Sequence, residues 1–383
     1  MSENQYFLLP GPTQIPPRIL RAGSKPMVNH RGPEFKHILT NVTENTKKIF
    51  ETTNDLLILT CSGTGGLEAA VSNFINPGDK VIAASIGNFG NRFADIAKQY
   101  GAEVDHIEFT WGTAIDPQVI KERLQADTNR ETKAILMQHN ETSTGVYNPI
   151  QEIAAARGNH PALLLVDSVS GMATTPLKTD EWGLDVVIAG SQKAFMAPPG
   201  LAFISVSPKA WQVQATNKNG KYYFDLAAAK KFYDQGQTPF TPAIATFYSV
   251  EAALEMMLET GLDNIIKDHF FHRDIIRTGV RALGLTCVAD DSCASTAVTA
   301  VYTPTGIKSQ QIVKPLKEKY NTVVAGGQGI FKDNTFRIGH LGYVNDLDLV
   351  ACLAALEMVL AELGCPIKLG QGVAAAQKFI MQK

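Results

Sequence analysis

The chain has 383 residues, of which 45% are hydrophobic and 19% charged, and its formal net charge is −2. This composition is typical of a globular protein with a large core and one or two domains. The balanced charge gives no electrostatic footprint for nucleic acid, and the lack of a polybasic block or of an apolar run of about 20 residues argues against a membrane partner.

The first thirty residues are rich in proline and glycine. They are predicted to form an extended arm that leads into a helix over residues 33–51. The start of the arm is polar and lacks the apolar region of a signal peptide, so we expect a cytoplasmic protein.

Strand and helix patterns alternate after this helix. The strand-like apolar runs lie at 56–59, 80–84, 103–107, 134–137, 162–166, 185–189 and 201–206. The runs with helical spacing lie at 66–74, 89–99, 117–125 and 150–156. This alternation predicts an α/β fold with a mostly parallel sheet that is covered by helices on both faces.

The pattern changes after Thr241, where long amphipathic helices are predicted over 247–259 and 262–283. Beyond them, short strands at 297–301, 322–324 and 335–338 alternate with helices at 308–319 and 346–363. These elements predict a smaller α+β unit that packs closely on the first. We expect an N-terminal arm over 1–20 packing with the small domain, a large domain over 21–258 and a small domain over 259–383.

The five cysteines are scattered, at positions 61, 287, 293, 352 and 365, and form no C-x-x-C pair. The sequence therefore predicts no metal site. Most of these thiols are expected to be buried in a reducing compartment.

Lys193 lies in a loop rich in serine, glycine and proline, between the apolar runs at 185–189 and 201–206. A loop lysine is ordinarily solvated. Its primary amine is nevertheless suited to form an imine with a carbonyl cofactor. Asp167, which ends the run at 162–166, favours that interpretation.

Ligands collect at the carboxyl ends of strands in an open α/β sheet, so the loops after these runs should converge. The loop at 61–68 has glycines and hydroxyls that open a helix, which suits a phosphate. It lacks the lysine of a P-loop and the spacing of a dinucleotide fold. Phe89, between two glycines, can stack on a flat ring, although a core phenylalanine is the ordinary alternative. The loop at 139–145 is dense in hydrogen-bonding groups.

These loops together describe one ligand. It has a phosphate for the loop at 61–68, a flat ring for Phe89, a basic ring nitrogen for Asp167 and an aldehyde for Lys193. These are the features of pyridoxal 5′-phosphate. An ionised Asp167 would keep the ring nitrogen protonated.

The chain resembles the class V aminotransferases of the pyridoxal phosphate fold type I, in particular the alanine–glyoxylate, serine–glyoxylate and serine–pyruvate group. The motifs that carry the resemblance are LPGPT at 9–13, SGTG at 62–65, GNFGNR at 87–92, ETSTGV at 141–146, VDSVS at 166–170, GSQKA at 190–194 and FRIGH at 336–340. The resemblance implies a large domain with a mostly parallel seven-stranded sheet and a smaller α+β C-terminal domain.

The resemblance also implies roles for individual residues. Lys193 would carry the cofactor and move the proton, Asp167 would hold the pyridine nitrogen, and Phe89 would stack on the ring. The remaining positions at which the family binds the cofactor are Gly63, Thr64, Gly65, Thr142, Val169, Gln192, Thr238 and Thr241. The last two lie in a segment that reaches the phosphate of the neighbouring subunit, which implies a homodimer with shared active sites. Thr238 stands where some relatives have tyrosine.

Arg337 is the candidate residue for binding the substrate carboxylate. An α-carboxylate calls for a permanently charged, bidentate fork, which arginine supplies. A surface ion pair is the ordinary alternative, but the family motif and the apolar neighbours favour substrate binding. Gly11 would line the substrate pocket through its backbone. His30 and Arg31 have two possible roles: they contact a distal group of the substrate, or they form a contact at the start of a helix.

The predicted function is a ping-pong transamination from a small L-amino acid, such as serine, alanine or aspartate, to a 2-oxo acid such as glyoxylate or pyruvate. Two alternatives remain at this point. One is a class V lyase such as cysteine desulfurase, whose members usually carry histidine where this chain has Gln192 and Phe89. The other is a subunit of a redox complex, because some close relatives carry a soluble-hydrogenase label.

Overall fold

The computed structural model describes residues 5–382. The strands are β1 (Tyr6–Phe7), β2 (Asp55–Leu59), β3 (Lys80–Ser85), β4 (Glu103–Glu108), β5 (Thr132–Gln138), β6 (Asn140–Glu141), β7 (Val146–Tyr147), β8 (Leu163–Asp167), β9 (Val186–Gly190), β10 (Ala202–Val206), β11 (Val298–Tyr302), β12 (Thr322–Val323), β13 (Ala325–Gly326) and β14 (Thr335–Gly339).

The helices alternate with these strands in the first half of the chain and dominate the second half. They are α1 (Pro17–Gly23), α2 (Pro33–Phe50), α3 (Gly63–Phe74), α4 (Asn88–Gln99), α5 (Pro117–Ala126), α6 (Ile150–Arg157), α7 (Pro208–Gln214), α8 (Leu226–Tyr233), α9 (Ile244–Thr260), α10 (Leu262–Ala282), α11 (Ser309–Tyr320), α12 (Asp346–Glu362) and α13 (Gln371–Ile380). Over the described residues, no helix combines the length and apolar character needed to cross a membrane.

The central sheet has seven strands in the order β2-β10-β9-β8-β5-β3-β4, which confirms the predicted α/β fold. β10 is antiparallel to both of its neighbours, whereas the other pairs are parallel. Only a short loop joins β9 to β10, and a parallel pair would need a crossover of a dozen or more residues. This loop carries Lys193.

Apolar side chains leave both faces of the central sheet. In β8, Leu164 and Val166 enter one core cluster, whereas Leu163 and Leu165 enter the other. Successive strand residues point to opposite faces, so a strand buried on both sides needs apolar residues at every position. The sheet is therefore a rigid middle layer whose loops carry the polar groups.

A second, antiparallel sheet has the order β11-β14-β13 and shares a third core with the helices of the C-terminal part. The N-terminal segment joins this part, because β1 pairs in parallel with β12 and Leu8 enters the third core. The proposed boundaries after residues 20 and 258 fall within α1 and near the end of α9, and they stay a prediction.

The sequence pattern missed some elements. α1 occupies part of the arm that was predicted to be extended. α7, α8 and α13 lie where the sequence pattern predicted no helix. α3 begins at Gly63 rather than at residue 66. Glycines have a low helix propensity, so a first turn that contains three of them gives no helical signal. This early start places the N-terminus of α3 at the polar end of the sheet.

Candidate functional site

Lys193 lies between β9 and β10, and its side chain is partly buried beneath the N-terminal segment. Its Nζ donates a hydrogen bond of 2.6 Å to the carbonyl oxygen of Pro10. The hydroxyl of Thr13 donates in turn to the carbonyl oxygen of Lys193, at 3.0 Å. Burial lowers the pKa of Lys193 to about 8, opposed by Asp167 and assisted by the charges of Arg337 and Arg92. The amine is thus unusually available as a nucleophile at neutral pH.

Asp167 ends β8 and is 6% exposed. One carboxylate oxygen accepts a hydrogen bond of 2.9 Å from the backbone N–H of Val169. No other hydrogen bond to this carboxylate forms within residues 5–382. Burial raises the pKa of Asp167 to about 6, and the nearby carboxyl of Glu141 acts in the same direction. A buried carboxyl with a free oxygen is suited to hold a protonated ring nitrogen.

The start of α3 forms a polar cradle. The side chain of Ser62, which precedes the helix, forms no cap, so the first-turn N–H groups of residues 63–65 are left for another acceptor. Arg92 donates to the hydroxyl of Thr64 at 3.2 Å. A Cβ at Gly63 would lie 2.6 Å from a methyl carbon of Val169, so only glycine fits there. Free N–H groups at a helix N-terminus suit a phosphate.

Gln192, next to the lysine, has a buried side-chain oxygen without a hydrogen-bond partner in the described chain. Buried amide groups are rarely left unpaired. The predicted phosphate position of Gln192 therefore contains an unsatisfied polar group.

Phe89 lies in the first turn of α4 and is half-buried. The guanidinium of Arg92 lies 4.8 Å from the centre of its ring. Because Arg92 also bonds Thr64, one side chain connects the candidate stacking residue to the candidate phosphate cradle.

Arg337 projects from β14, is 6% exposed and forms hydrogen bonds only with neutral groups within residues 5–382. Its Nε donates to the carbonyl oxygen of Gly326 at 2.9 Å. Its Nη1 donates to the carbonyl oxygen of Thr142 and to the side-chain oxygen of Gln328, each at 3.1 Å. Nη2 has no hydrogen-bond partner among residues 5–382. Burial lowers the pKa of Arg337 to about 10, opposed by the charge of the Glu141 carboxyl, and this leaves the guanidinium charged at neutral pH.

Gly11 lies against the lysine, in the left-handed region with φ +129°. A Cβ at this position would overlap the Lys193 side chain, including Nζ. The structure thus brings the arm, three strand ends and β14 to one place.

Comparison with known proteins decides the family. The class-V aminotransferase family matches residues 5–337. The chain belongs to the class-V aminotransferases. It is 41% identical to the soluble hydrogenase 42 kDa subunit of Anabaena cylindrica, over 99% of each chain. It is 39% identical to a serine–glyoxylate aminotransferase of Arabidopsis thaliana, over 98% of this chain and 95% of that protein.

The same fold occurs in solved structures. The ureidoglycine–glyoxylate aminotransferase of Bacillus subtilis superposes with a TM-score of 0.94 at 30% identity, over 100% of this chain and 99% of that one. The predicted fold of the pyridoxal phosphate-dependent aminotransferases is therefore confirmed, and pyridoxal 5′-phosphate is the cofactor of this aminotransferase.

The residues present fit that cofactor on the evidence of the structure itself. Asp167 is a buried residue with one unpaired carboxylate oxygen, α3 offers first-turn N–H groups, and Gln192 has an unpaired buried amide oxygen. The amine of Lys193, whose pKa is lowered, lies near Asp167.

Sequence reasoning gave no role to Glu141. It is fully buried, and one carboxylate oxygen accepts the N–H groups of Phe89 and Gly90, both at 3.0 Å. The other oxygen accepts the N–H of Ser143 at 3.0 Å and its hydroxyl at 2.6 Å. Burial raises the pKa of Glu141, against the effect of these four donors. The only signal in the sequence was a glutamate within the polar loop after β5.

The hydroxyl of Thr142, predicted to approach the cofactor, donates to the hydroxyl of Ser170 at 2.9 Å. Thr238 is buried, and its hydroxyl donates to the carbonyl oxygen of Phe240 at 2.8 Å. Thr241 is exposed. Neither Thr238 nor Thr241 forms a hydrogen bond with the Lys193 or Asp167 side chains in the described chain.

Arg31 has a structural contact for its side chain. Its guanidinium donates to the carbonyl oxygens of Thr238 and Pro239, at 2.7 and 3.1 Å. It therefore holds the segment that was predicted to reach a neighbouring subunit. His30 is half-buried and forms no side-chain hydrogen bond in residues 5–382.

The cysteines of this aminotransferase are poor nucleophiles. Burial raises the pKa of all five thiols, to about 12 for Cys61 and Cys352. Cys352 lies inside α12 and is fully buried. A desulfurase needs a reactive thiolate. The described residues contain no group of three or more histidine, cysteine, aspartate and glutamate side chains arranged to hold a metal ion.

Proposed function

We propose that this aminotransferase moves the amino group of a small L-amino acid, such as serine, alanine or aspartate, to glyoxylate or a similar 2-oxo acid such as pyruvate. Arg337 carries the proposal. It is a buried guanidinium whose hydrogen-bond partners are all neutral, and its charge acts on the amine of Lys193. The Glu141 carboxyl acts on Arg337 only through its charge, because both of its oxygens accept hydrogen bonds from other groups. A buried guanidinium without a hydrogen-bonded anion favours a carboxylate ligand. The amino acid and the 2-oxo acid both carry a carboxylate beside the reacting carbon.

Lys193 has the central role in the reaction. Pyridoxal phosphate, when bound, supplies an aldehyde that combines with amines and a protonated ring that draws electrons from the substrate Cα–H bond. Lys193 holds the cofactor through its Nζ. Once released, the same Nζ would move a proton from the Cα of the amino donor to the cofactor carbon that carried the aldehyde, and in the opposite direction with the 2-oxo acid, which its lowered pKa allows near neutral pH.

The surrounding residues orient the reaction. Asp167 would hold the proton of the ring nitrogen, since one oxygen of this buried residue has no hydrogen-bond partner in the described chain. Phe89 and Val169 would contact the ring, and the hydroxyl of Thr142 would approach its oxygen. Gly63, Thr64, Gly65 and Gln192 would bind the phosphate. Gly11 keeps the space above Nζ open, because any larger residue would overlap it.

The names of two relatives support glyoxylate as the acceptor. The Arabidopsis thaliana and Bacillus subtilis proteins differ in their amino donor but share glyoxylate in their names.

The proposal includes a homodimer with shared sites, three parts with boundaries after residues 20 and 258, and a cytoplasmic location. The exposed Thr241 supports a partner surface, as does Tyr222, which is 82% exposed and whose ring centre lies 5.6 Å from that of Phe240. The five cysteines are free thiols, as expected in a reducing compartment. Sedimentation and cell fractionation test these points.

The deciding experiment is a panel of serine, alanine and aspartate against glyoxylate, pyruvate and 2-oxoglutarate. Each donor is first tested alone, for loss of the visible absorbance of the lysine-bound cofactor. We expect rapid loss with at least one donor, recovery with glyoxylate, and neither response in Lys193→Ala. A purified protein that takes up no pyridoxal phosphate would contradict the proposal.

A second candidate, a subunit of a redox complex, is favoured only by the name of the Anabaena cylindrica relative. Recovery of this chain in a stable complex with hydrogenase activity, together with no transamination in the panel, would support that candidate instead.

A further inference from the structure

The guanidinium of Arg337 is held by acceptors that leave one nitrogen free. Nε bonds Gly326, and Nη1 bonds both Thr142 and Gln328. The N–H groups of Nη2 are therefore those that remain for a ligand. A carboxylate has two oxygens, and a single nitrogen does not satisfy both in the parallel geometry that arginine prefers.

Gln328 is the only side chain among these three acceptors, because Gly326 and Thr142 contribute backbone carbonyls. Its amide must present the oxygen to Arg337, since Nη1 can only donate. The amide nitrogen of Gln328 forms no hydrogen bond within residues 5–382. Gln328 therefore has one atom, its amide oxygen, that orients the guanidinium, and another, its amide nitrogen, that is still free to donate.

The loop around Gln328 is fixed against the large domain. Gly329 has φ +53°, and a Cβ there would lie 2.5 Å from the Trp111 ring and 2.7 Å from the side-chain oxygen of Asn88. Asn88 precedes Phe89 at the start of α4. The loop therefore runs from Arg337 to the helix that carries the candidate stacking residue, and Gln328 is half-buried between them.

We propose that Gln328 is a positioning and binding residue of the carboxylate site. Its oxygen orients Arg337, and its amide nitrogen donates to the second oxygen of a carboxylate whose first oxygen is bound by Nη2. The inference rests on the proposed role of Arg337. A neutral amide serves here because it adds a donor without neutralising the guanidinium, as a glutamate would.

The test measures the carboxylate site apart from the chemistry. Propionate, which has a carboxylate but neither an amine nor a ketone, serves as a competitive inhibitor. We expect Gln328→Ala to raise the inhibition constant of propionate and the KM of both substrates by the same factor of about ten, the effect of one hydrogen bond to a charged group. The kcat and the dissociation constant of pyridoxal phosphate should stay within about twofold.

Two further variants separate binding from folding. Gln328→Met keeps the length of the side chain and should match Gln328→Ala, while Gln328→Glu should raise the same constants further because its carboxylate competes for the guanidinium. Ile330→Ala changes a 71% exposed residue of the same loop and should leave them unchanged. Unchanged or lower constants in Gln328→Ala and Gln328→Met, or an equal rise in Ile330→Ala, would overturn the inference.

Arg337→Lys in the same assay separates the two proposals. If this variant leaves the propionate constant unchanged, the carboxylate role of Arg337 fails, and the role of Gln328 fails with it. If it raises the constant while the variants at Gln328 do not, only the inference on Gln328 fails.

Discussion

The pKa of the Lys193 amine is determined by the burial of its side chain and by the charges around it. At Lys193, burial lowers the pKa to about 8, and the guanidiniums of Arg337 and Arg92 add to the effect. A lysine with its ordinary pKa is about 0.03% neutral at pH 7, whereas a pKa near 8 leaves about 10% neutral. The arginine proposed to bind the substrate and the arginine that bonds Thr64 thus also lower the pKa of the amine.

This shift predicts the pH dependence of cofactor uptake. Because the folded-state pKa is lowered, the neutral fraction of Lys193 grows as the pH rises through about 8 and is complete above it. The rate at which the cofactor-free protein binds pyridoxal phosphate, followed by visible absorbance in a stopped-flow instrument, should be half-maximal near pH 8 and level off about one pH unit above it. Arg92→Leu should move the midpoint upward. A rate that keeps rising to pH 10 in the unaltered protein would contradict the prediction.

Gly11 predicts a second effect at one residue. Its left-handed φ is unfavourable for alanine, and the added Cβ would overlap Nζ of Lys193. Gly11→Ala should lower kcat/KM by at least about tenfold, since small displacements of reacting groups are costly. Gly220→Ala is the control, because a Cβ there meets nothing within 4 Å and its φ is not left-handed. Equal activities in the two variants would show that the arm does not restrict the lysine.

At the scale of single elements, the start of α4 depends on a buried carboxylate. Glu141 accepts the N–H groups of Phe89 and Gly90, which a helix N-terminus otherwise leaves unpaired. Phe89 therefore owes its position to a residue of the loop after β5. This contact links the candidate stacking residue to the loop whose Thr142 carbonyl holds Arg337.

Glu141→Gln tests that link. The introduced NH₂ group must face either the two N–H groups of α4 or the N–H of Ser143, so at least one buried donor loses its acceptor. We expect a loss of about 1–3 kcal/mol in the free energy of unfolding, measured by denaturant titration, and weaker binding of pyridoxal phosphate. Glu122→Gln, at an exposed position of α5, should change neither. An unchanged cofactor affinity in Glu141→Gln would show that the position of Phe89 does not depend on Glu141.

The sequence predicts those site residues that follow long, apolar strands. Lys193 and Asp167 became candidates because each stands at the end of such a run, where parallel strands bring their loops together. Glu141 and Gln328 did not, because the roles proposed for them depend on which groups lie opposite them after folding. The first turn of α3 was missed for a local reason, since its glycines hide the helical pattern.

At the scale of the whole molecule, the proposed dimer has a candidate surface. Tyr222 and Tyr223 are 82% and 43% exposed, and the Tyr223 ring stacks on Phe240 at 5.0 Å. Thr241 follows directly, and Arg31 holds the preceding residues. Exposed aromatic residues on a fixed segment are typical of an interface.

Tyr222→Glu should therefore weaken the dimer. A charge at the centre of an apolar contact is costly, so the variant should sediment as a monomer at concentrations at which the unaltered chain is dimeric. Leu369→Glu is the control, because Leu369 is 61% exposed but lies in the C-terminal part, before α13. Dissociation in both variants, or in neither, would remove this surface from the proposed interface.

Shared sites make a stricter prediction than dimerisation. If the segment with Thr241 serves the partner's phosphate, Thr241→Glu places a negative charge beside that phosphate and inactivates the site of the other chain. Lys193→Ala inactivates the site of its own chain. Each variant alone should be inactive.

A dimer of one chain of each kind, co-expressed with two affinity tags and purified through both, should combine the two defects in one site and leave the other intact. We expect about half the activity of the unaltered dimer, because one of the two symmetry-related sites is complete. If the segment instead serves its own chain, each site carries one defect and the mixed dimer is inactive.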